Sequence, residues 1–124
     1  MKLSDIKKKT SVLVVDDERK LLRFVEIGLR IRGFDVVTTT SGQEALDLVR
    51  SAKPDIMLLD IIMPGIDGFQ VIKELRTFTD LPVIAFSASP GNHENALQLG
   101  ANDFMPKPFN VDEMVRRIKN IVSD

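Results

Sequence analysis

The chain has 124 residues, which is the length of one domain, since domains typically run to about 100–150 residues, and folding at that length buries on the order of 65% of the surface. Its 17 Lys and Arg nearly balance 18 Asp and Glu, for a net charge of −1, and this argues against a general basic surface for gripping nucleic acid. It has no cysteine, which excludes disulfides, thiolate nucleophiles, thiolate zinc sites and iron–sulfur clusters together.

Along the chain, Lys7-Lys8-Lys9 reads as part of a solvated leader, residues 1–10, ahead of a single domain over 11–124. The lysines have no signal-type apolar segment behind them, and no apolar run approaches the about 20 residues that span a bilayer. The expected location is therefore the cytoplasm, with no membrane contact. Val12-Leu13-Val14-Val15 is a short, fully apolar run that stops at Asp16-Asp17, the pattern of a strand buried on both faces. From Glu18 to Arg32 the period becomes helical, with Leu21, Phe24, Val25, Gly28 and Leu29 as the expected stripe and Gly33 as the stop. Phe34 to Thr39 is a second strand, and Ser41-Gly42-Gln43-Glu44 is a capping box for a helix that Lys53-Pro54 ends.

Ile56-Met57-Leu58-Leu59 is a third strand, ending at Asp60. Turn chemistry follows through Met63-Pro64-Gly65-Ile66-Asp67-Gly68, where Asp67 and Gly68 read as turn and cap, and then a helix over about 67–78. Pro82 to Phe86 is a fourth strand, ending at Ser87, and Pro90-Gly91 leads into a short helix over about 94–99. His93, the single histidine, reads as a surface loop residue, because no second His or Cys accompanies it as a metal ligand. Asp103-Phe104-Met105 is a fifth strand, placed at a sheet edge because Pro106 follows it. Asn110 caps a last helix with Val111, Met114, Val115, Ile118, Ile121 and Val122 as its apolar positions. Strand and helix alternate five times, which predicts an α/β fold: a parallel five-stranded sheet with right-handed crossovers and helices on both faces.

Ligands of such sheets bind beyond the carboxyl ends of the strands. Asp16 and Asp17, Asp60, Ser87 and Lys107 all fall there, while the second strand ends in Thr38, Thr39 and Thr40. Three converging carboxylates repel one another and call for a positive partner. Mg²⁺ suits them, since it takes one or two carboxylates and leaves room for a phosphoryl oxygen. Carboxylate, Mg²⁺, lysine and hydroxyl together are what phosphoryl transfer onto an aspartate needs.

Asp16-Asp17, then Asp60-Ile61-Ile62-Met63-Pro64-Gly65-Ile66-Asp67-Gly68, then Ser87-Ala88, then Lys107-Pro108-Phe109 resemble the receiver domain of two-component response regulators, over about residues 11–122. The resemblance implies the doubly wound, flavodoxin-like strand order 2-1-3-4-5. It implies that Asp60 is the phosphoacceptor, and that Asp17 binds Mg²⁺ directly, Asp16 through water and Ile62 through its carbonyl. It also implies that Lys107 and Ser87 contact the phosphoryl group, that Ala88 offers its backbone N–H, and that the Lys107-Pro108 bond is cis. Phe104 would be the aromatic that turns inward when Ser87 moves toward the phosphate, or else plain core. In this family the residues two beyond the acceptor and two beyond the hydroxyl flank the path of the attacking water, and here they are Ile62 and Ser89.

The implied partners are a histidine kinase or histidine phosphotransfer protein and an output domain or protein. Charges like Asp103, Glu113 and Arg117 support a phosphorylation-dependent homodimer in the subfamily with DNA-binding outputs, or else belong to a solvated amphipathic face. The domain would catalyse only its own phosphorylation and dephosphorylation and would not itself bind nucleic acid. Two other readings compete. A phosphotransferase of the haloacid dehalogenase type needs Asp-x-Asp after the first strand and a cap, whereas here the acids are adjacent. A phosphorylation-independent interaction domain would have lost an acceptor, a lysine or an acid pair, and none is lost. A nucleotide-binding module is poorly supported, since no glycine-rich loop follows the first strand.

Overall fold

Alternating strands and helices fold, in the computed structural model, into β1 (Ser11–Val15), α1 (Arg19–Ile31), β2 (Asp35–Thr39), α2 (Gly42–Ala52), β3 (Ile56–Asp60), α3 (Gly68–Leu75), β4 (Val83–Ser87), α4 (Asn92–Leu99), β5 (Asp103–Pro106) and α5 (Val111–Val122). The structure describes residues 8–89 and 91–122; Lys7 of the leader and Pro90 lie outside them, and Lys8 and Lys9 are exposed. The strands are all parallel, in the order β2-β1-β3-β4-β5. The expected fold is thus the observed one, with β5 at an edge and exposed Pro106 closing it, where a missing N–H costs no ladder bond.

The continuous apolar runs follow from burial on both faces. Leu13 and Val15 of β1 pack with Ala45, Leu46 and Val49 of α2, with Val71, Ile72 and Leu75 of α3, and with Ala96 of α4. Val12 and Val14, pointing the other way, pack with Leu22, Val25 and Leu29 of α1 and with Met114 and Ile118 of α5. Each such side chain contributes on the order of 1.5–3 kcal/mol on burial.

Local chemistry sets the helix ends. Ser41 Oγ accepts from the Glu44 N–H at 3.1 Å, as the capping box requires, while the Ser41 N–H donates to Thr39 Oγ1 at 3.1 Å. Lys53 ends α2 in the left-handed region (φ 47°), and Gly33 (φ 91°) turns the chain after α1. Asn110 Oδ1 caps α5 by accepting from the Glu113 N–H at 2.7 Å. α3 is shorter than its apolar pattern suggested, because beyond Leu75 the chain tightens into turns: the Thr77 N–H bonds the Glu74 carbonyl and the Phe78 N–H that of Leu75.

The expected stripe of α1 needs correction. Leu22, Val25 and Leu29 are its buried residues, Leu21 is half-buried, and Phe24 is 57% exposed. Gly28 faces α5 so closely that a Cβ would stand 2.9 Å from a methyl of Val111. The sheet and α5 cover only part of the helix's apolar arc, so Phe24, Ile27 and Ile31 remain outside.

Candidate functional site

Parallel packing brings the carboxyl ends of β1, β3, β4 and β5 to one edge of the sheet, and the residues that end or follow these strands meet there. Asp16 and Asp60 are 1% and 4% exposed, while Asp17 is exposed. Carboxylate oxygens of all three lie within 4.8 Å of one another. The backbone of Lys107 continues the β4–β5 ladder, its N–H donating to the Ser87 carbonyl at 2.9 Å. That anchor carries Nζ to 3.4 Å from Asp16 Oδ2 and 3.6 Å from Asp60 Oδ2. The Lys107-Pro108 peptide is cis.

The carboxylates are held as well as crowded. Asp16 Oδ1 accepts from the Glu18 N–H at 2.8 Å, and Asp60 Oδ1 accepts from the Ile62 N–H at 3.3 Å. Burial, and after it the facing Asp16 charge, push the Asp60 carboxyl up to about 6 against the pull of Lys107 and the Ile62 N–H. Burial also raises Asp16, opposed by the Glu18 N–H and Lys107. One ammonium therefore does not compensate the cluster. The donors are all carboxylate oxygen, close together and starved of positive charge, and this set fits a hard divalent cation such as Mg²⁺.

Ile62, Ala88 and Ser87 rim this edge, while Phe104 lies inside β5 in the core. The Ile62 side chain, two residues beyond Asp60, is 58% exposed. Exposed Ala88 lines a cleft of about 330 Å³ with Glu18, Leu21, Lys107, Pro108 and Phe109. Ser87 is 1% exposed, and its Oγ accepts from the Ser89 N–H and from Asn92 Nδ2, both at 3.1 Å. Phe104 is 4% exposed and belongs to the cluster that α2, α3 and α4 cover.

Sequence reasoning missed two neighbours of these residues. Asn92 opens α4, five residues beyond Ser87, and periodicity carries no signal for its bond. His93 is not a loop residue: it lies on the first turn of α4 and stacks on Phe104, ring centroids 4.9 Å apart and planes 11° from parallel. Asp67 is a cap as expected, its carboxylate accepting from the Gln70 N–H at 3.0 Å. Gly68 does more than turn, since it lies against the Asp60–Ile61 peptide.

The charges expected at a dimer face pair within the chain. Arg117 Nη1 reaches Asp103 Oδ1 at 3.0 Å and the Phe104 carbonyl at 2.8 Å, and its Nε reaches Glu113 Oε1 at 2.8 Å.

Residues 12–119 match the family model of the response regulator receiver domain. Over 120 residues the chain is 38% identical to the "Probable transcriptional regulator ycf27" of Guillardia theta, covering 95% of this chain and 47% of that protein, so it spans about half of this relative's length. Among solved structures it is similar to the receiver domain of Francisella response regulator 1452 (TM-score 0.85, 34% identity, 90% of this chain and 95% of that one). It is also similar to the BeF₃-activated N-terminal receiver domain of Klebsiella pneumoniae RstA (TM-score 0.87, 26% identity, 93% and 100%).

Proposed function

Because this chain belongs to the receiver-domain family of response regulators, we propose that it is a switch set by phosphorylation of Asp60. The donor is the phosphohistidine of a sensor kinase or of a histidine phosphotransfer protein. A carboxylate oxygen of Asp60 attacks phosphorus, the new O–P bond forms as the N–P bond breaks, and the imidazole leaves with the electron pair and takes a proton from water. The product is an acyl phosphate, which water later hydrolyses at the same site. The chain is thus a reactant in its own chemistry and not a turnover enzyme.

Each residue has a role that its position supports. Lys107 Nζ, 3.6 Å from Asp60 Oδ2, holds positive charge where the phosphoryl oxygens arrive. Ser87 donates its hydroxyl proton to one of those oxygens, and the Ala88 N–H serves another. Mg²⁺, held by Asp16, Asp17, Asp60 and the Ile62 carbonyl, would neutralise the charge that gathers on the transferring group. The apolar cleft of Leu21, Pro108 and Phe109 beside Lys107, with exposed Phe24 and Ile27 on α1, offers the donor protein a seat next to the acceptor. The output is a change at the face of α4, β5 and α5, read by an output domain or partner protein in the cytoplasm, and that face also supports a homodimer.

The observation that carries this reading is the burial of the Asp60 carboxylate between Asp16 and Lys107 at the carboxyl edge of the sheet. The test is incubation with acetyl phosphate and Mg²⁺, followed by intact-mass measurement. One alkali-labile phosphoryl adduct is expected, absent with EDTA and absent in Asp60→Ala; an adduct that survives Asp60→Ala would overturn the assignment.

A further inference from the structure

We infer that Arg30 is a stopper on the open edge of β2, and that this edge, once unstopped, adds a strand from a second copy of the chain. The same device stands at both edges of the sheet. On α1, Glu26 Oε2 holds Arg30 Nε at 3.2 Å, and Arg30 Nη2 donates to the Val36 carbonyl of β2 at 2.7 Å. On α5, Glu113 Oε1 holds Arg117 Nε at 2.8 Å, and Arg117 Nη1 donates to the Phe104 carbonyl of β5 at 2.8 Å. β2 and β5 are the two edge strands, and each glutamate stands four residues before its arginine on one helix.

The Val36 carbonyl faces outward because alternate residues of a strand bond to one neighbour. The Asp35 N–H donates to the Thr10 carbonyl at 3.0 Å, and the Thr39 carbonyl accepts from the Asp16 N–H at 3.2 Å. Residues 35, 37 and 39 therefore serve β1, while Val36 and Thr38 turn their N–H and C=O groups to the free side. Such a row is a template for a further strand. The segment Val36-Val37-Thr38-Thr39-Thr40 is β-branched at every position and has no proline, the composition that pairs most readily.

The two edges are not equally protected. On β5 the Phe104 N–H is taken by Asp103 Oδ1 at 2.8 Å, and Pro106, two residues on, has no N–H to offer. That edge stays barred without Arg117. On β2 the arginine is the one side chain bonded to an outward backbone group among the described residues. A strand arriving there must first displace a short, charge-assisted bond. A second copy is the occupant that fits, because its β2 carries the same outward row. Two such edges meet antiparallel about a two-fold axis, each giving the other Val36 and Thr38.

The test is sedimentation of the unphosphorylated chain, without a phosphoryl mimic, over a range of concentrations. Arg30→Ala should associate at concentrations at least about tenfold below those the wild type needs, the effect of losing one hydrogen bond to a charged group. Glu26→Gln keeps the guanidinium but unties it, and should shift association the same way by less. Thr38→Pro removes an outward N–H and no bond to β1, so in the Arg30→Ala background it should restore the monomer. Amide exchange should show Val36 and Thr38 protected in the Arg30→Ala assembly and labile in the wild-type monomer. Folded Arg30→Ala and Glu26→Gln chains that associate no more than the wild type would overturn the stopper. Association that persists with Thr38→Pro, or that leaves the Val36 and Thr38 amides labile, would overturn strand addition at this edge.

Discussion

A Cβ placed on Gly68 would stand 2.6 Å from the carbonyl oxygen of Asp60 and 2.5 Å from Cα of Ile61. The first residue of α3 therefore lies on the Asp60–Ile61 peptide, and its N–H donates to the Ile61 carbonyl at 2.8 Å. Backbone cannot step aside as a side chain can. Gly68→Ala is expected to cost about 1–3 kcal/mol by overpacking and to slow phosphorylation by acetyl phosphate. Gly65→Ala is the control: its φ of +77° costs a side chain about 1–2 kcal/mol, but nothing lies within 4 Å of a Cβ there, so the phosphorylation rate should hold. Urea denaturation and adduct kinetics on both variants check this.

Stability without divalent cations should fall as pH rises through the range from about 4 to 6. The folded Asp60 carboxyl is raised from 3.8 to about 6, so the native state holds a proton that the unfolded chain releases earlier. The favourable term is fully present below pH 4 and is lost by the time pH passes 6; raised Asp16 acts in the same direction. Asp60→Asn should flatten this slope and be more stable than the wild type at pH 7.5 in EDTA, by about 1–2 kcal/mol. Thermal melts at pH 5 and pH 7.5, with EDTA and with Mg²⁺, measure it. A wild-type melt independent of pH in EDTA would contradict the placement of Asp60 against Asp16.

Ile62 stands 58% exposed two residues beyond Asp60, the proposed acceptor. An apolar side chain there cannot orient a water molecule for attack on an acyl phosphate, and its bulk would shield phosphorus. Dephosphorylation should be faster in Ile62→Asn, which supplies a hydrogen-bonding amide at that place. Decay of the adduct with Mg²⁺ present, followed by intact mass, checks this; equal decay rates would refute it.

Arg117 binds Asp103, Glu113 and the Phe104 carbonyl inside one chain. These partners would have to be shared or exchanged if the same charges bridge two copies, and half-exposed ion pairs are individually weak. Arg117→Ala should cost about 1 kcal/mol of stability and abolish any dimer formed with beryllofluoride. Sedimentation of both proteins at high concentration reads it, and a wild type that stays monomeric with the mimic would reject the dimer.

Phe24 and Ile27 expose apolar surface on α1, where no element of the chain covers them among the described residues. Phe24→Glu should slow phosphotransfer from the cognate kinase at least tenfold and leave phosphorylation by acetyl phosphate unchanged. Equal losses with both donors would show a folding defect in place of a docking defect.

Strands and site edge were both legible from the amino acids. A short run such as Val12–Val15 or Ile56–Leu59, apolar at every position and ended by a charge, reads as a strand covered on both faces, and the first charge after it marks the rim of the sheet. Because all five strands are parallel, their rims coincide, and Asp16, Asp60, Ser87 and Lys107 meet although as many as 91 positions separate them. That much follows from local periodicity plus one topological rule. The stack of His93 on Phe104, the bond from Asn92 to Ser87, the exposure of Phe24 and the closure of Arg117 onto Asp103 had no such signal. Each depends on which face of a helix meets which strand, and that is decided by packing between elements distant in the chain, where patterning constrains the apolar arc of a helix but not how much of it a neighbour covers.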